Sequence, residues 1–343
     1  MSDAHSAKIR VMLDAVFNHC GTEFFAWKDV CAKGKNSPYY DWFFINREDF
    51  VKDSFHTTDA RFYTFSFWAG MPKLNTNNPE VQQYFTDLCV HWARDFKIDG
   101  IRFDVGDEIS HRFLKKLNNA LKAVNPELFL LGEIWFDAIR WLDGTEYDAV
   151  MNYPFTGSVN DFWRDQSTDA RAFMHRINFS RSLYPHQINE VNFNFLDTHD
   201  TPRVMETCSS EDVLLQKLTV LFTAAGSPCI YYGTELAMRG KHTPFNRSTM
   251  PWDEIESGQY ADFQAKVAAL IHTRNTLAPL KNDSLEFVFD SEHPRLVCFR
   301  KENITVYINA GDSAVQISDG NIEFANRCEN HTLYPNGVCI VSG

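Results

Sequence analysis

Gly100-Ile101-Arg102-Phe103-Asp104-Val105 reads as a short apolar strand that ends in charge, and the pattern on either side of it decides the fold. Upstream, amphipathic spacing predicts a helix over residues 79–96; downstream, a second helix runs to about Val124. The same unit recurs along the chain. Residues 8–14 read as a strand, and residues 128–133 precede a short helical stretch near Ala138. Residues 147–152 precede a helical region containing Phe162, Trp163 and Phe173, and residues 191–197 precede a helix over 211–225. Residues 228–232 precede a helix over about 260–277. Six strand-helix units with apolar strands point to an α/β protein with a parallel sheet, doubly wound or closed into a barrel.

Two stretches depart from that rhythm. Residues 20–74 are too long and too aromatic for a simple connection and read as a small subdomain grafted onto a loop. After Leu277 the pattern changes to short alternating runs at 285–289, 296–300 and 304–309, separated by turns carrying Asp, Gly and Asn, which predicts a small antiparallel β module. The boundary falls near residues 278–283.

Composition narrows the partners. The 343 residues hold 33 Lys plus Arg against 45 Asp plus Glu, a formal net charge of −12, which argues against nucleic acid. No apolar run is long enough to span a bilayer, so no membrane partner is expected. The start, Met1-Ser-Asp-Ala-His-Ser-Ala-Lys8, has neither a basic region nor an apolar h-region, which places the product in the cytoplasm. The eight cysteines are widely spaced without a Cys-x-x-Cys pair, and buried free thiols are expected rather than a disulfide or zinc framework.

Charge at the carboxyl ends of apolar parallel strands is unusual, because such a group must be paired or solvated. Four of the six strands carry it: Asp14-Ala-Val-Phe-Asn18-His19, Arg102-Phe-Asp104, Gly132-Glu133-Ile-Trp135 and Asp197-Thr-His199-Asp200. In a parallel sheet these ends share one face, so Asp104, Glu133 and Asp200 are expected in one cleft. Carboxylates with an arginine and two histidines suit glycoside hydrolysis, in which one carboxylate attacks the anomeric carbon and another protonates the leaving oxygen. Arg102, two residues before Asp104, points to the same face of the strand and would hold the nucleophile ionised and oriented. A bare ion-pair network is the bland reading of any one strand end, and a barrel metallohydrolase is the second rival, although no strand carries a His-x-His pair.

Taken in order, these four segments resemble the characteristic regions of the α-amylase family, glycoside hydrolase family 13. Met71-Pro-Lys-Leu-Asn75 resembles the motif of its neopullulanase, cyclomaltodextrinase and maltogenic amylase subgroup, and Glu108 and Met151-Asn-Tyr-Pro-Phe155 fit that subgroup too. The resemblance implies a (β/α)8 TIM-barrel catalytic domain over residues 1–280, with the inserted subdomain at 20–74, and a C-terminal β-sandwich domain over 281–343. It implies Asp104 as nucleophile, Glu133 as general acid/base and Asp200 as third carboxylate. Arg102, His19 and His199 would bind the glucose ring, Asp14 and Asn18 would support them, and Glu108 and Trp135 would line the acceptor side. The expected reaction is retaining hydrolysis of α-1,4 bonds, with α-1,6 bonds left open, in cyclodextrins, maltooligosaccharides, pullulan or starch. No cofactor is required on this reading; a structural calcium ion is compatible with it, but the 20–74 insertion offers no acidic cluster clear enough to name ligands.

The chain departs from that pattern in three places. Its first motif matches the family's third barrel strand, so six units stand where eight are expected, without the subgroup's N-terminal domain; residues 1–8 read as the tail of the second barrel helix. A truncated chain would lack the aromatic residue that the family's second strand supplies for stacking on the cleaved glucose, so an inactive remnant or weak glucan-binding fragment is the alternative. A homodimer is compatible with the family, but the usual dimerisation domain is the part expected to be missing. Where the subgroup has an acidic residue ahead of Pro and a later Arg, this chain has Thr243-Pro244-Phe-Asn-Arg247, which makes Arg247 the candidate for binding on the non-reducing side.

Overall fold

The computed structural model describes residues 1–47 and 61–343, which form two compact units. The first holds residues 1–134 and 138–150; the second holds residues 135–137 and 151–343.

In the first unit, strands β1 (Met12–Ala15), β2 (Gly100–Phe103), β3 (Phe129–Gly132) and β4 (Ala149–Val150) form one parallel sheet in that order. The register sets Asp14 opposite Arg102 and Phe103 opposite Gly132. The helix Pro79–His91 begins where Asn78 accepts bonds from the amides of Glu80 and Val81, with Pro79 in the first turn where its missing N–H costs nothing. It stops earlier than the sequence predicts: Trp92–Phe96 widens into a π turn that ends at Lys97 in a left-handed conformation. The helix His111–Val124 buries Phe113, Leu114, Leu117 and Leu121, a spacing that puts them on one face. Phe17, in the loop after β1, ties sheet to helices, its ring centroid 4.3 Å from Phe85, 6.1 Å from Phe103 and 6.4 Å from Phe113.

The insertion is held by its own aromatic cluster. Trp27 in the helix Phe25–Lys33 packs 4.9 Å from Phe43 and 5.0 Å from Phe62. Trp42 and Phe43 are buried as subdomain core, whereas Phe44 and Trp68 are exposed. Residues 48–60 of the expected subdomain lie outside the described residues.

In the second unit, β5 (Phe193–Asn194) and β6 (Ser227–Pro228) pair in parallel. The run expected as a strand over 228–232 leaves the ladder after the Cys229 amide bonds Asn194 O at 2.7 Å, and Tyr231 and Tyr232 lie in the turn beyond. The helical region around Phe162 and Phe173 is two helices, Tyr153–Arg164 and Ala170–Ser182. Glu211–Thr223 is buried from Val213 to Thr223, and the polar side chains in that run are partnered inside: Gln216 donates to Asn309 O at 2.7 Å and accepts from Trp163 Nε1 at 2.9 Å, and Lys217 donates to Thr207 Oγ1 at 2.8 Å.

The antiparallel sheet is larger than the three runs predicted. It contains β7 (Glu286–Val288), β8 (Leu296–Lys301), β9 (Ile304–Asn309), β10 (Val315–Gln316), β11 (Asn321–Glu329) and β12 (Thr332–Ser342), in the order β10-β12-β9-β8-β7 with β11 on β12. Asn, Glu and Arg on the solvent face of β11, and Pro335 and Gly337 inside β12, erase the alternation that betrays a strand. Val297, Val306, Ile308, Val338 and Ile340 of this sheet share one core with Leu214, Leu218, Phe263 and Leu270. Six parallel strands among the described residues, interleaved with helices and followed by this sheet, bear out the α/β expectation. All eight cysteines are free thiols. Among the described residues no helix is long and apolar enough to cross a membrane.

Candidate active site

In the first unit the strand ends meet on Arg102. Its Nη1 donates to Asp14 Oδ1 at 2.6 Å and to Asp104 Oδ1 at 2.9 Å, and its Nη2 stands 2.8 Å from Glu133 Oε2. The last contact is an ion pair without hydrogen-bond alignment. Register accounts for the convergence: Arg102 lies opposite Asp14 on β1, and the ladder continues past the strand ends as Asp104 N to Ala15 O at 3.1 Å and Glu133 N to Phe103 O at 3.0 Å. The guanidinium is buried, which by itself favours the neutral form, yet the charges of Glu133, Asp14 and Asp104 hold it above its ordinary value. Asp104 moves up from the usual carboxylate range: burial raises it most, Arg102 lowers it, and Glu133 and Asp14 raise it again. The arginine therefore limits the rise rather than reversing it, and orientation is its larger contribution.

The residue after Asp104 was not singled out by its sequence. Val105 adopts φ 46 and ψ 53, a left-handed backbone that β-branched residues avoid, and this aims its amide at Glu133 Oε2 at 3.1 Å. Gly106 N then donates to Glu133 O at 2.9 Å, and Tyr147 Oη donates to Gly106 O at 2.9 Å. The close approach demands glycine: a Cβ on Gly132 would lie 2.6 Å from the Tyr147 ring, and one on Gly106 would lie 2.8 Å from Tyr147 Oη.

His19 is buried and stacks on Phe65 at 4.9 Å with 3° between the rings. Burial lowers its pKa, Lys73 lowers it further, and Glu108 opposes them. The strand-like segment around Lys73 pairs antiparallel with the loop after β1: Cys20 N bonds Pro72 O, and Leu74 N bonds Asn18 O, both at 3.0 Å. Lys73 Nζ reaches Asn18 Oδ1 and Glu108 Oε2, the latter at 2.6 Å. Within this unit Asp14, Asp104 and Glu133 gather on Arg102, and Asn18 and Glu108 meet on Lys73, a residue to which the sequence reading gives no role of its own.

The second unit carries the other candidates. Asp200 Oδ1 accepts from Arg247 Nη2 at 2.6 Å, and Asp200 Oδ2 lies 3.1 Å from His199 Nε2. Arg247 Nε also donates to His199 O at 2.9 Å. Asp197, three residues before Asp200, is buried and serves the loop instead: it accepts from Val204 N at 2.8 Å and from Thr234 Oγ1 at 3.0 Å. Burial pushes its pKa up to about 6 against those bonds. Trp135 is half-exposed and stacks on Tyr153 at 4.3 Å and 15°, so it presents a face rather than closing a core.

Residues 1–287 match the sequence model of the α-amylase catalytic domain. The chain belongs to the α-amylase family. It is 39% identical over 344 residues to an intracellular maltogenic amylase of Bacillus subtilis, an alignment that covers 98% of this chain and 57% of that protein. It is 40% identical over 319 residues to a cyclomaltodextrinase of Geobacillus thermopakistaniensis, covering 91% of this chain and 53% of that one. Among solved structures, a debranching enzyme from Nostoc punctiforme superposes with a TM-score of 0.89 at 27% identity, covering 100% of this chain and 78% of that chain. The chain thus spans about half the length of the curated α-amylase relatives it matches. The metallohydrolase alternative is not favoured by this membership. Among the described residues, no group of three or more His, Cys, Asp or Glu is placed to hold a metal ion.

Proposed function

We propose that this α-amylase-family chain acts as a retaining α-glucan hydrolase of the cyclomaltodextrinase and maltogenic amylase type. The observation that carries the reading is the single guanidinium of Arg102 shared by Asp14, Asp104 and Glu133. One carboxylate can then attack while a neighbour on the same cation manages the proton.

In the first step an Asp104 oxygen attacks the anomeric carbon, the bond to the leaving oxygen breaks, and Glu133 gives its proton to that oxygen. In the second, water or a sugar hydroxyl attacks the same carbon, Asp104 leaves as carboxylate, and the proton passes to Glu133. Two inversions give net retention. In the first unit Arg102 and His19 are the residues that orient a glucose ring. In the second unit Asp200, beside His199, is the candidate third carboxylate, whose role is to favour the oxocarbenium-like state. Arg247 holds Asp200 in place, and Glu108 of the first unit and Trp135 of the second are each a candidate for acceptor contact. Maltooligosaccharides, cyclodextrins, pullulan and starch are the substrates, with cleavage of α-1,4 bonds and, where geometry allows, α-1,6 bonds. A neutral substrate suits the acidic surface, and a cytoplasmic enzyme suits the free thiols.

The test is incubation of the folded chain with β-cyclodextrin, pullulan and starch, scoring reducing ends. Release from at least one of them, abolished by Asp104→Asn, is expected. No release from any of the three would overturn the proposal.

A further inference from the structure

Lys73 stands at the centre of the first unit's polar cluster without a role in the two-step chemistry. Its side chain is only 17% exposed, and its ammonium meets three oxygens: Asn18 Oδ1, Glu108 Oε2 at 2.6 Å and Glu108 O at 3.3 Å. Its backbone is strapped to the loop that carries Asn18 and His19. On the other side, Glu108 N donates to Val105 O at 3.1 Å, and the amides of Val105 and Gly106 grip the carboxylate and carbonyl of Glu133. One chain of contacts therefore runs from Lys73 through the 105–108 turn to Glu133.

We propose that Lys73 is a positioning residue: its ammonium fixes the Glu108 carboxylate against Asn18, and through that turn it governs whether water or a sugar hydroxyl is accepted when Glu133 takes the proton. This rests on the proposed hydrolase reading. A charge-assisted bond of 2.6 Å from a largely buried ammonium holds the partly exposed Glu108 carboxylate more narrowly than solvent alone does, and an attacking hydroxyl must be placed to within a fraction of an ångström of its base. The attack itself is the balanced second step above; Lys73 changes which hydroxyl makes it. The same ammonium acts on His19, whose facing charged groups are Lys73 and Glu108, and whose Nδ1 lies 3.3 Å from the Asn18 side-chain amide.

Lys73→Met, Lys73→Arg, Glu108→Gln and the double variant Lys73→Met/Glu108→Gln decide the matter. With maltotriose as donor and glucose as acceptor, Lys73→Met should change the transfer-to-hydrolysis ratio by about threefold or more, a part of the roughly tenfold that one charged hydrogen bond is worth. Lys73→Arg should restore most of it. In the Glu108→Gln background, Lys73→Met should add no further change to that ratio. By NMR titration, the His19 imidazole should titrate at higher pH in Lys73→Met than in the parent chain. An unchanged ratio, or full additivity with Glu108→Gln, overturns the proposal. If the parent chain releases no sugar, the hydrolase reading fails by itself, and the His19 titration judges Lys73: an unmoved imidazole overturns it. Lys73→Gln replaces Lys73→Met in each comparison if the latter does not fold.

Discussion

The amide nitrogen of Val105 stands 3.1 Å from Oε2 of Glu133, and Val105 reaches it only by taking a left-handed backbone. Residues held in that region cost roughly 1–3 kcal/mol unless they are glycine, so the surrounding ladder must over-determine the conformation. The strain sits between the two carboxylates that the proposed chemistry uses, and it converts a strand end into a turn that presents both.

Replacement of Val105 by glycine separates strain from packing. A buried valine in a regular strand, such as Val306 in β9, should lose about 2–4 kcal/mol on becoming glycine, through the cavity and the backbone entropy. At Val105 the released strain offsets most of that loss, so Val105→Gly should unfold within about 1 kcal/mol of the parent chain. Denaturant unfolding of the two variants side by side checks this. Equal losses at both positions would mean that the left-handed conformation carries no strain.

Arg102 makes a sharper case. Lysine keeps the charge but brings one nitrogen to a place where two guanidinium nitrogens reach three carboxylates. Asp104 already sits above the ordinary carboxylate range because burial outweighs Arg102. A weaker cation raises it further, and a protonated Asp104 cannot attack, so activity is lost at a higher pH as the solution is acidified. Arg102→Lys should therefore lower kcat/KM by about 100-fold or more and move the acid limb of its pH profile upward. A limb that stays in place would show that Asp104 is tuned by something other than Arg102.

Asp200 depends on a partner that the sequence assigned to substrate. The Arg247 contact at 2.6 Å joins two partly exposed side chains, so it contributes little to stability but fixes one rotamer of the carboxylate. Arg247→Ala should leave the melting temperature within a degree or two while lowering kcat/KM about tenfold, the scale of one charged hydrogen bond. Thermal unfolding and steady-state kinetics on the same preparation distinguish the two effects. A large drop in melting temperature with unaltered kinetics would assign Arg247 to the fold instead.

Where the sequence was legible, physics made it so. Charges at the ends of apolar strands are expensive, and Asp14, Arg102, Asp104 and Glu133 stood out for that reason, then proved to share one cation. What stayed hidden depends on contacts distant in sequence or on backbone conformation. Met71–Asn75 resembles a family motif, yet the reach of Lys73 to Asn18 and Glu108 comes from a pairing with residues 18–20 that no local pattern announces. Nothing in a valine signals a positive φ. Asp197 and Asp200 lie three residues apart in one segment, and only burial tells the loop anchor from the candidate catalytic group.

Lys301 gives the pH dependence of the fold a definite sign. It is 1% exposed in β8, bonded to Asn282 O at 2.6 Å and Leu280 O at 3.2 Å, and burial pulls its pKa down to about 7 from 10.5, with Arg274 adding to the shift. Between those two values the unfolded chain binds a proton that the folded chain lacks, so the penalty is complete below pH 7 and is relieved as pH rises. The contribution to the slope of unfolding free energy approaches ~1.4 kcal/mol per pH unit above pH 7. The useful window closes near pH 8.5, because thiols such as Cys20, which burial pushes up to about 12, begin to ionise in the unfolded chain and reverse the trend. Lys301→Met removes the titrating group while keeping the length of the side chain. Urea unfolding at pH 7, 7.75 and 8.5 should show stability rising with pH in the parent chain and a distinctly flatter course in the variant. Parallel slopes in the two proteins would mean that Lys301 stays protonated in its buried place.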